Sequence, residues 1–407
     1  LHFASTFIIC AILTYFGFRY VRRRSSLEKA ARVVLPDLRV GLPEWQFTEP
    51  VINSTSPYSI GKTKPAGSNY TRCLVVASLK NEDTTWVNAH LVDLQDAGLL
   101  APAVYVVDDS KAKFRVPKNK GHEAMVYLTY IIDHYDSLPD VSIFMHAERH
   151  TWHNDELLER DAVEMIQRLS PERVTRDGYM NLRCHWEPGC PSWLRPSIVS
   201  EDPGKAEQLV IAQYWRQLFP EDPLPEVLAQ PCCAQFAVSR DRIHELPKER
   251  YTFLREWLLS TDLSDYLSGR VFEYTWQFIF TKSPVSCPSM SICYCDGYGI
   301  CFGSPKEFDY WFELRYKRNE YVEAVRLWQR MLDHPPGMIS LGGPGTRPLL
   351  GELANIPDRE KIREAQKLVN RLTAEMDGLL AKAVVAGESP RQRALEAGRE
   401  WRDGNGF

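Results

Sequence analysis

Three motifs that would point directly to a chemistry are missing from this sequence. There is no repeated C-x-x-C of a structural zinc site and no H-E-x-x-H of a helical zinc protease. The glycines of Leu341–Gly345 stand without a P-loop lysine. Their absence disfavours zinc-based hydrolysis and P-loop phosphate binding. No internal repeat is visible, so one catalytic domain is expected rather than an array. An excess of either charge is also lacking. A formal net charge of −4 does not suggest a protein wrapped around nucleic acid, although it leaves room for a local basic face.

Cysteine is too sparse for a disulfide scaffold: ten are spread over 407 residues. The cluster from Cys287 to Cys301 reads as a metal site, a disulfide or ordinary buried thiols, the last being expected. Cys232-Cys233 reads as a nucleophile or as inert buried thiols, again with the inert reading favoured. A 44% hydrophobic and 11% aromatic composition does suffice for a full globular core.

Residues 3–18 (FASTFIICAILTYFGF) are uncharged and strongly apolar, and Arg19, Arg22, Arg23 and Arg24 follow. The run is at the lower edge of spanning length, and its charge follows it rather than precedes it as in a signal peptide. A single-pass membrane anchor is expected, with the arginines keeping the body cytosolic. Two sequons, Asn53-Ser54-Thr55 and Asn69-Tyr70-Thr71, point the other way if used.

The expected organisation is therefore an anchor with basic flank (1–24), a Pro/Ser/Thr-rich stem (25–71), an α/β catalytic domain (72–335) and a helical C-terminal appendage (336–407). CLVVAS (73–78), AVYVV (103–107) and VSIFM (141–145) are short apolar runs suited to buried parallel strands. Between them the pattern predicts one helix from Thr84 or Thr85 to about Gln95. A second is expected to be capped by Asn119, with Ala124, Leu128, Ile131, Ile132 and Tyr135 on one face. A third is expected from about Asp155 to Leu169, and others at 250–259, 306–333 and 358–384. FEYTWQFIF (272–280) fits a strand or a buried helix, and the last 20 or so residues read as frayed. A β-α-β-α-β order implies a mostly parallel sheet flanked by helices, with ligands beyond the carboxyl ends of the strands.

Candidate chemistry gathers at those ends. Asp108 and Asp109 follow the second strand and suit a divalent cation, Mg²⁺ or Mn²⁺, or else a turn. Lys120 and Glu123 open a helix, as an anion site and a cleft carboxylate or as capping groups. His146, Glu148, Trp152, His153 and Asn154 crowd one short segment and offer acid/base groups, ligand contacts and an aromatic wall. Glu273, an acid inside an apolar run that also holds Trp276, is a functional candidate or a structural ion-pair partner.

Several strings, among them NKGHEAMVYLTYIIDHYDSLPDVSIFMHAERHTWHND, YMNLRCHWEPGCP, CCAQFAVSRDRI and VFEYTWQFIFT, resemble a fungal family formerly of unknown function. The likeness spans about 72–303. It implies a glycosyltransferase-A-like α/β fold and the activity of arginine-containing cyclodipeptide synthases. These join arginyl-tRNA and a second aminoacyl-tRNA into a cyclo-Arg-Xaa diketopiperazine, with tailoring enzymes as pathway partners. Asp108, Asp109, Glu123, His146 and His153 would then bind the guanidinium, accept the amine proton and stabilise the oxyanion. Two other readings stand beside it: a metal-dependent glycosyltransferase using a nucleotide sugar, and a non-catalytic membrane-anchored binding protein.

Overall fold

The computed structural model describes residues 56–198, 205, 207–333, 359–404 and 406–407. The apolar run at 3–18, its arginines, most of the expected stem, the Asn53 sequon and the Leu341–Gly345 glycines lie outside them. Among the described residues, no helix is long and apolar enough to cross a membrane. Chain contacts group the protein into two compact units. Of the described residues, those of 305–382 fall in one, and those of 56–304 with 383–407 fall in the other.

The larger unit is an α/β fold built on a mixed five-stranded sheet of order β2-β1-β3-β5-β4. Strand β1 (Arg72–Ser78) lies between β2 (Leu100–Val106) and β3 (Val141–His146), parallel to both. These are the three expected strands, in the β-α-β-α-β order. Apolar runs form them; β1 and β3 are sealed over almost their whole length, whereas β2, at the sheet edge, is buried only at alternate positions towards its end. The second half of the sheet departs from the parallel expectation. Strand β5 (Phe236–Ser239) runs antiparallel to β3 and to β4 (Tyr179–Asn181). The segment from 180 to 240 carries no repeated strand–helix period, so only pairing across the chain reveals these two strands.

The first crossover is two short helices, α1 (Trp86–His90) and α2 (Val92–Asp96), not the single helix expected to Gln95; the chain kinks at Leu91. The second crossover, α3 (Glu123–His134), begins four residues after the expected Asn119 cap. The expected helix from Asp155 is likewise shorter. Residues 151–160 are turns, and α4 (Ala162–Arg168) starts only after Asp161 caps it through Val163 N–H.

Beyond it come α5 (Pro171–Asp177), α6 (Glu207–Leu218), α7 (Arg240–His244) and α8 (Lys248–Ser260). The ambiguous FEYTWQFIF run is helical. It is the end of α9 (Asp265–Glu273) joined to α10 (Trp276–Thr281). These helices meet α3 over an aromatic core in which Tyr127, Phe144, Phe236 and Trp276 pack at centroid spacings of 4.8–5.9 Å.

Helix α11 (Met290–Tyr298) carries Cys293 and Cys295 of the cysteine cluster, with Cys287 and Cys301 on either side. The thiols expected there are disulfides instead: Cys184–Cys293, Cys190–Cys287 and Cys295–Cys301, with Cys232–Cys233 formed between chain neighbours. For the first two the reason is long-range: the loop around 184–190 packs on 287–293, which sequence spacing does not reveal. Only Cys73 remains free among the described cysteines.

The smaller unit pairs α12 (Pro305–Asp333) with most of α13 (Arg359–Gly387), burying Ala324, Trp328, Ile362 and Ala365 together. The chain end expected to fray instead forms α14 (Pro390–Glu396) in the larger unit. Ser389 caps it, Glu396 accepts from Gly303 N–H, and Arg399 pairs with Asp296 at 2.7 Å.

Candidate active site

The site grows from the start of α3. Gly121 and His122 both have left-handed backbones, with φ of 72° and 50°, and Gly121 N–H donates to Asp265 Oδ1 at 2.6 Å. This turn delivers Glu123 as the first helical residue, above the carboxyl end of β3. The Glu123 carboxyl lies 4.0 Å from His146 Nε2, and both side chains are largely buried, at 15% and 21% exposure.

Burial, with Glu273 adding repulsion, pushes the Glu123 carboxyl up to about 8. Burial pushes the His146 imidazole the opposite way, down to about 3, and His153 and His122 reinforce that shift. At neutral pH the pair is thus a largely protonated acid facing a neutral ring. His146 Nε2 is sealed and has no hydrogen-bond partner.

His153 completes the cluster. Its Nδ1 lies 3.3 Å from His146 Nδ1, with the rings edge to face, and 3.4 Å from Thr151 Oγ1. One Nδ1 must donate and the other accept, so the two rings carry complementary tautomers. Trp152 is half exposed and lies against His153 at 4.2 Å, as an aromatic wall beside the pair. The buried Arg183 fixes this loop from beneath, donating to the carbonyls of Trp152 and Asn154.

The remaining candidates divide. Glu273 accepts from Cys233 N–H at 3.2 Å and pairs with Arg270 at 2.6 Å. Arg270 also holds Glu207 at 2.7 Å. Burial raises the Glu273 carboxyl despite Arg270. Trp276 is fully buried on Tyr127, and its indole N–H and the Tyr127 hydroxyl both lack partners. Asn154 is sealed and spends its amide on the carbonyls of Arg149 and Arg160 and on Gln235. Lys120 donates to Thr261 O, and Glu148 is exposed.

Asp108 and Asp109 lie just beyond β2, on the far side of β1 from His146. Asp108 accepts from Lys80 N–H at 2.8 Å. Asp109 accepts from Lys111 N–H at 3.0 Å and faces the Lys80 ammonium at 3.6 Å. Among the described residues, the only three His, Cys, Asp or Glu groups close enough to share an ion are Cys295, Cys301 and Glu396. Two of those sulfurs are bonded to each other. Beside the aspartate pair stands Lys80, and two carboxylates are what a Mg²⁺ shared with substrate phosphates commonly takes from a protein.

A family model matches residues 74–296, more than half of the chain, and spans the candidates from Asp108 to Trp276. The chain belongs to the DUF3431 family. The family's description is "protein of unknown function", so membership in DUF3431 assigns no activity. No curated protein and no solved structure matches the chain.

Sequence reasoning missed the residues that hold the DUF3431 site together, namely Gln235, Arg183, Arg270 and Tyr127. Gln235 and Arg183 sit inside the strings that carried the resemblance. Only their contacts, dozens of residues away in the chain, give them a role.

Proposed function

We propose that the protein is a group-transfer enzyme with Glu123 as its proton carrier, and that its donor is a nucleotide sugar. One observation carries the reading: an acid raised to about 8 faces a neutral imidazole across a 4.0 Å gap at the carboxyl edge of parallel strands. A carboxyl titrating near neutrality can take and return a proton. An imidazole pushed to about 3 holds one poorly, so His146 orients and hydrogen-bonds.

In glycosyl transfer the acceptor hydroxyl oxygen attacks the anomeric carbon, and the bond from that carbon to the phosphate oxygen breaks. The nucleoside diphosphate leaves with the electron pair, and Glu123 carboxylate takes the hydroxyl proton. The four disulfides favour this donor, because such bonds persist in oxidising compartments whereas aminoacyl-tRNA is a cytosolic substrate. A glycosyltransferase-A-like architecture and a membrane-anchored, lumen-facing body belong to the same proposal. It replaces the cytosolic body that the arginines suggest.

A second reading, the arginine-containing cyclodipeptide synthase, is favoured by the resembling strings. There each α-amine in turn attacks the other residue's ester carbonyl carbon and the carbon–oxygen bond to that ribose breaks; protonated Glu123 supplies the proton to the leaving ribose oxygen, and its carboxylate takes the proton that the amine loses.

The test uses the full chain, purified with its disulfides intact. It is offered a panel of nucleotide sugars with simple acceptors, with and without Mn²⁺, while released nucleoside diphosphate is followed. Release is expected to rise with pH through about 8, as the Glu123 base form appears. E123Q should lose roughly 10²–10⁴-fold and the pH limb with it. Parallel incubation with arginyl-tRNA and a second aminoacyl-tRNA is read by mass spectrometry. A cyclo-Arg product without sugar turnover would establish the second reading. Undiminished turnover by E123Q would remove both.

A further inference from the structure

The β3–β5 ladder stops at Phe144 opposite Phe236, two residues short of His146. Past that point a side chain takes over from the ladder. Gln235, 1% exposed, accepts from His146 N–H through Oε1 at 3.0 Å. Its Nε2 donates to Asn154 Oδ1 at 3.0 Å and to His153 O at 3.4 Å. One buried amide therefore ties the end of β3 to the loop that bears the second histidine.

The amide orientation is over-determined. Asn154 Nδ2 is engaged by the carbonyls of Arg149 and Arg160, at 2.7 and 3.0 Å, so its Oδ1 must face Gln235. An oxygen there requires the Gln235 nitrogen, which turns the Gln235 oxygen to His146 N–H. Glutamine is the side chain whose acceptor and donor match both partners at this reach.

We propose that Gln235 is the positioning residue of the site, setting the His146–His153 couple opposite Glu123 by clamping both histidine backbones at once. The inference rests on the acid–base reading above, because it assigns Gln235 a role in that same site. Gln235 itself touches no reacting atom; it acts through the two rings. The groups facing His146 are Glu123 from α3, His153 from its own loop, and His122 before α3. The distances to Glu123 and His153 depend on where the end of β3 is held.

The test follows the His146 imidazole by nitrogen-15 NMR on the full chain, with the signal assigned through H146A. In the wild type the ring should stay neutral well below pH 5, as its burial dictates. In Q235M, similar in length but without amide donor or acceptor, the midpoint should climb by at least one pH unit toward that of a solvated histidine. Q235E, isosteric and still able to accept from His146 N–H, guards against a variant that fails to fold. Its carboxylate faces two oxygens where the amide nitrogen donated, so an upward shift is expected there too. On whichever donor sustains turnover, both variants should lower kcat at least tenfold with KM altered less than threefold.

An unmoved His146 midpoint in a folded Q235M or Q235E would overturn the positioning role. Failure of the site reading looks different. There E123Q and H146A keep full turnover, whatever Gln235 does to the histidine signal. If those two are inactive while the Gln235 variants match the wild type in both readouts, this inference alone is lost.

Discussion

Glu123 and His146 are displaced in opposite directions by one cause, removal from water, and the two displacements act on stability with opposite sign. Glu123 keeps its proton in the folded state up to about 8, against an ordinary 4.5. Its contribution is fully present below 4.5 and is lost as pH rises to about 8, because the unfolded chain releases the proton first. His146 titrates at about 3 when folded and ordinarily at 6.5. Its contribution is present above 6.5 and is lost as pH falls toward 3. Between 4.5 and 6.5 the two slopes oppose each other, and above 6.5 only the loss from Glu123 remains.

Glu123→Gln removes that loss. The stability of E123Q relative to the wild type should therefore grow with pH between about 5 and 8, at up to roughly 1.4 kcal/mol per pH unit. Melting temperatures taken at pH 5, 6.5 and 8 check this. Parallel curves for the two proteins would mean that Glu123 is solvated and ionised throughout.

At the scale of elements, the site depends on how α3 begins. Asn119 is a sound cap on propensity alone, yet the helix waits for Glu123, because Gly121 and His122 turn left-handed against α8 and α9. A Cβ on Gly121 would fall 2.6 Å from a methyl carbon of the buried Leu258, at a φ of 72° that disfavours any side chain. Gly121→Ala should then lower stability by about 1–3 kcal/mol. It should also weaken activity, since the same turn aims Glu123. Denaturant midpoints and turnover measured on one preparation test both, and an unchanged midpoint would show that the turn relaxes freely.

The same element shows what was legible. Strands β1, β2 and β3, with Glu123 and His146 at their carboxyl edge, follow from apolar runs and helix periodicity, which are local signals. The break of α1 from α2 at Leu91, the antiparallel β5 and the Gln235 clamp follow from partners far along the chain. Gln235 meets His146 across 89 residues, and no window on the sequence spans that. Asp108 and Asp109 were legible as a strand-end pair, but the lysine that faces them, Lys80, comes from the loop after β1.

On the scale of the whole molecule, the disulfides close the larger unit on itself. Cys184–Cys293 and Cys190–Cys287 bridge 109 and 97 residues, and they join the segment after β4 to α11 and to the residues just before it. Arg183, which clamps the histidine loop, directly precedes one bridgehead, so the cross-links and the site share a strut. Loops of this length constrain the unfolded chain strongly, with an expected contribution of about 2–5 kcal/mol from each bridge.

Replacing Cys184 and Cys293 together with serine should therefore lower the melting temperature by several degrees. Turnover should fall further than the folded fraction does, because Arg183 loses its anchor. Cys295 and Cys301, only six residues apart, close a short loop and should matter less when replaced as a pair. Thiol titration of the native protein under denaturing, non-reducing conditions provides the first check. Eight of the nine described cysteines should resist modification until a reductant is added. Finding them all reactive in material from an oxidising host would break the link between this fold and its compartment, and with it the preference for a sugar donor over aminoacyl-tRNA.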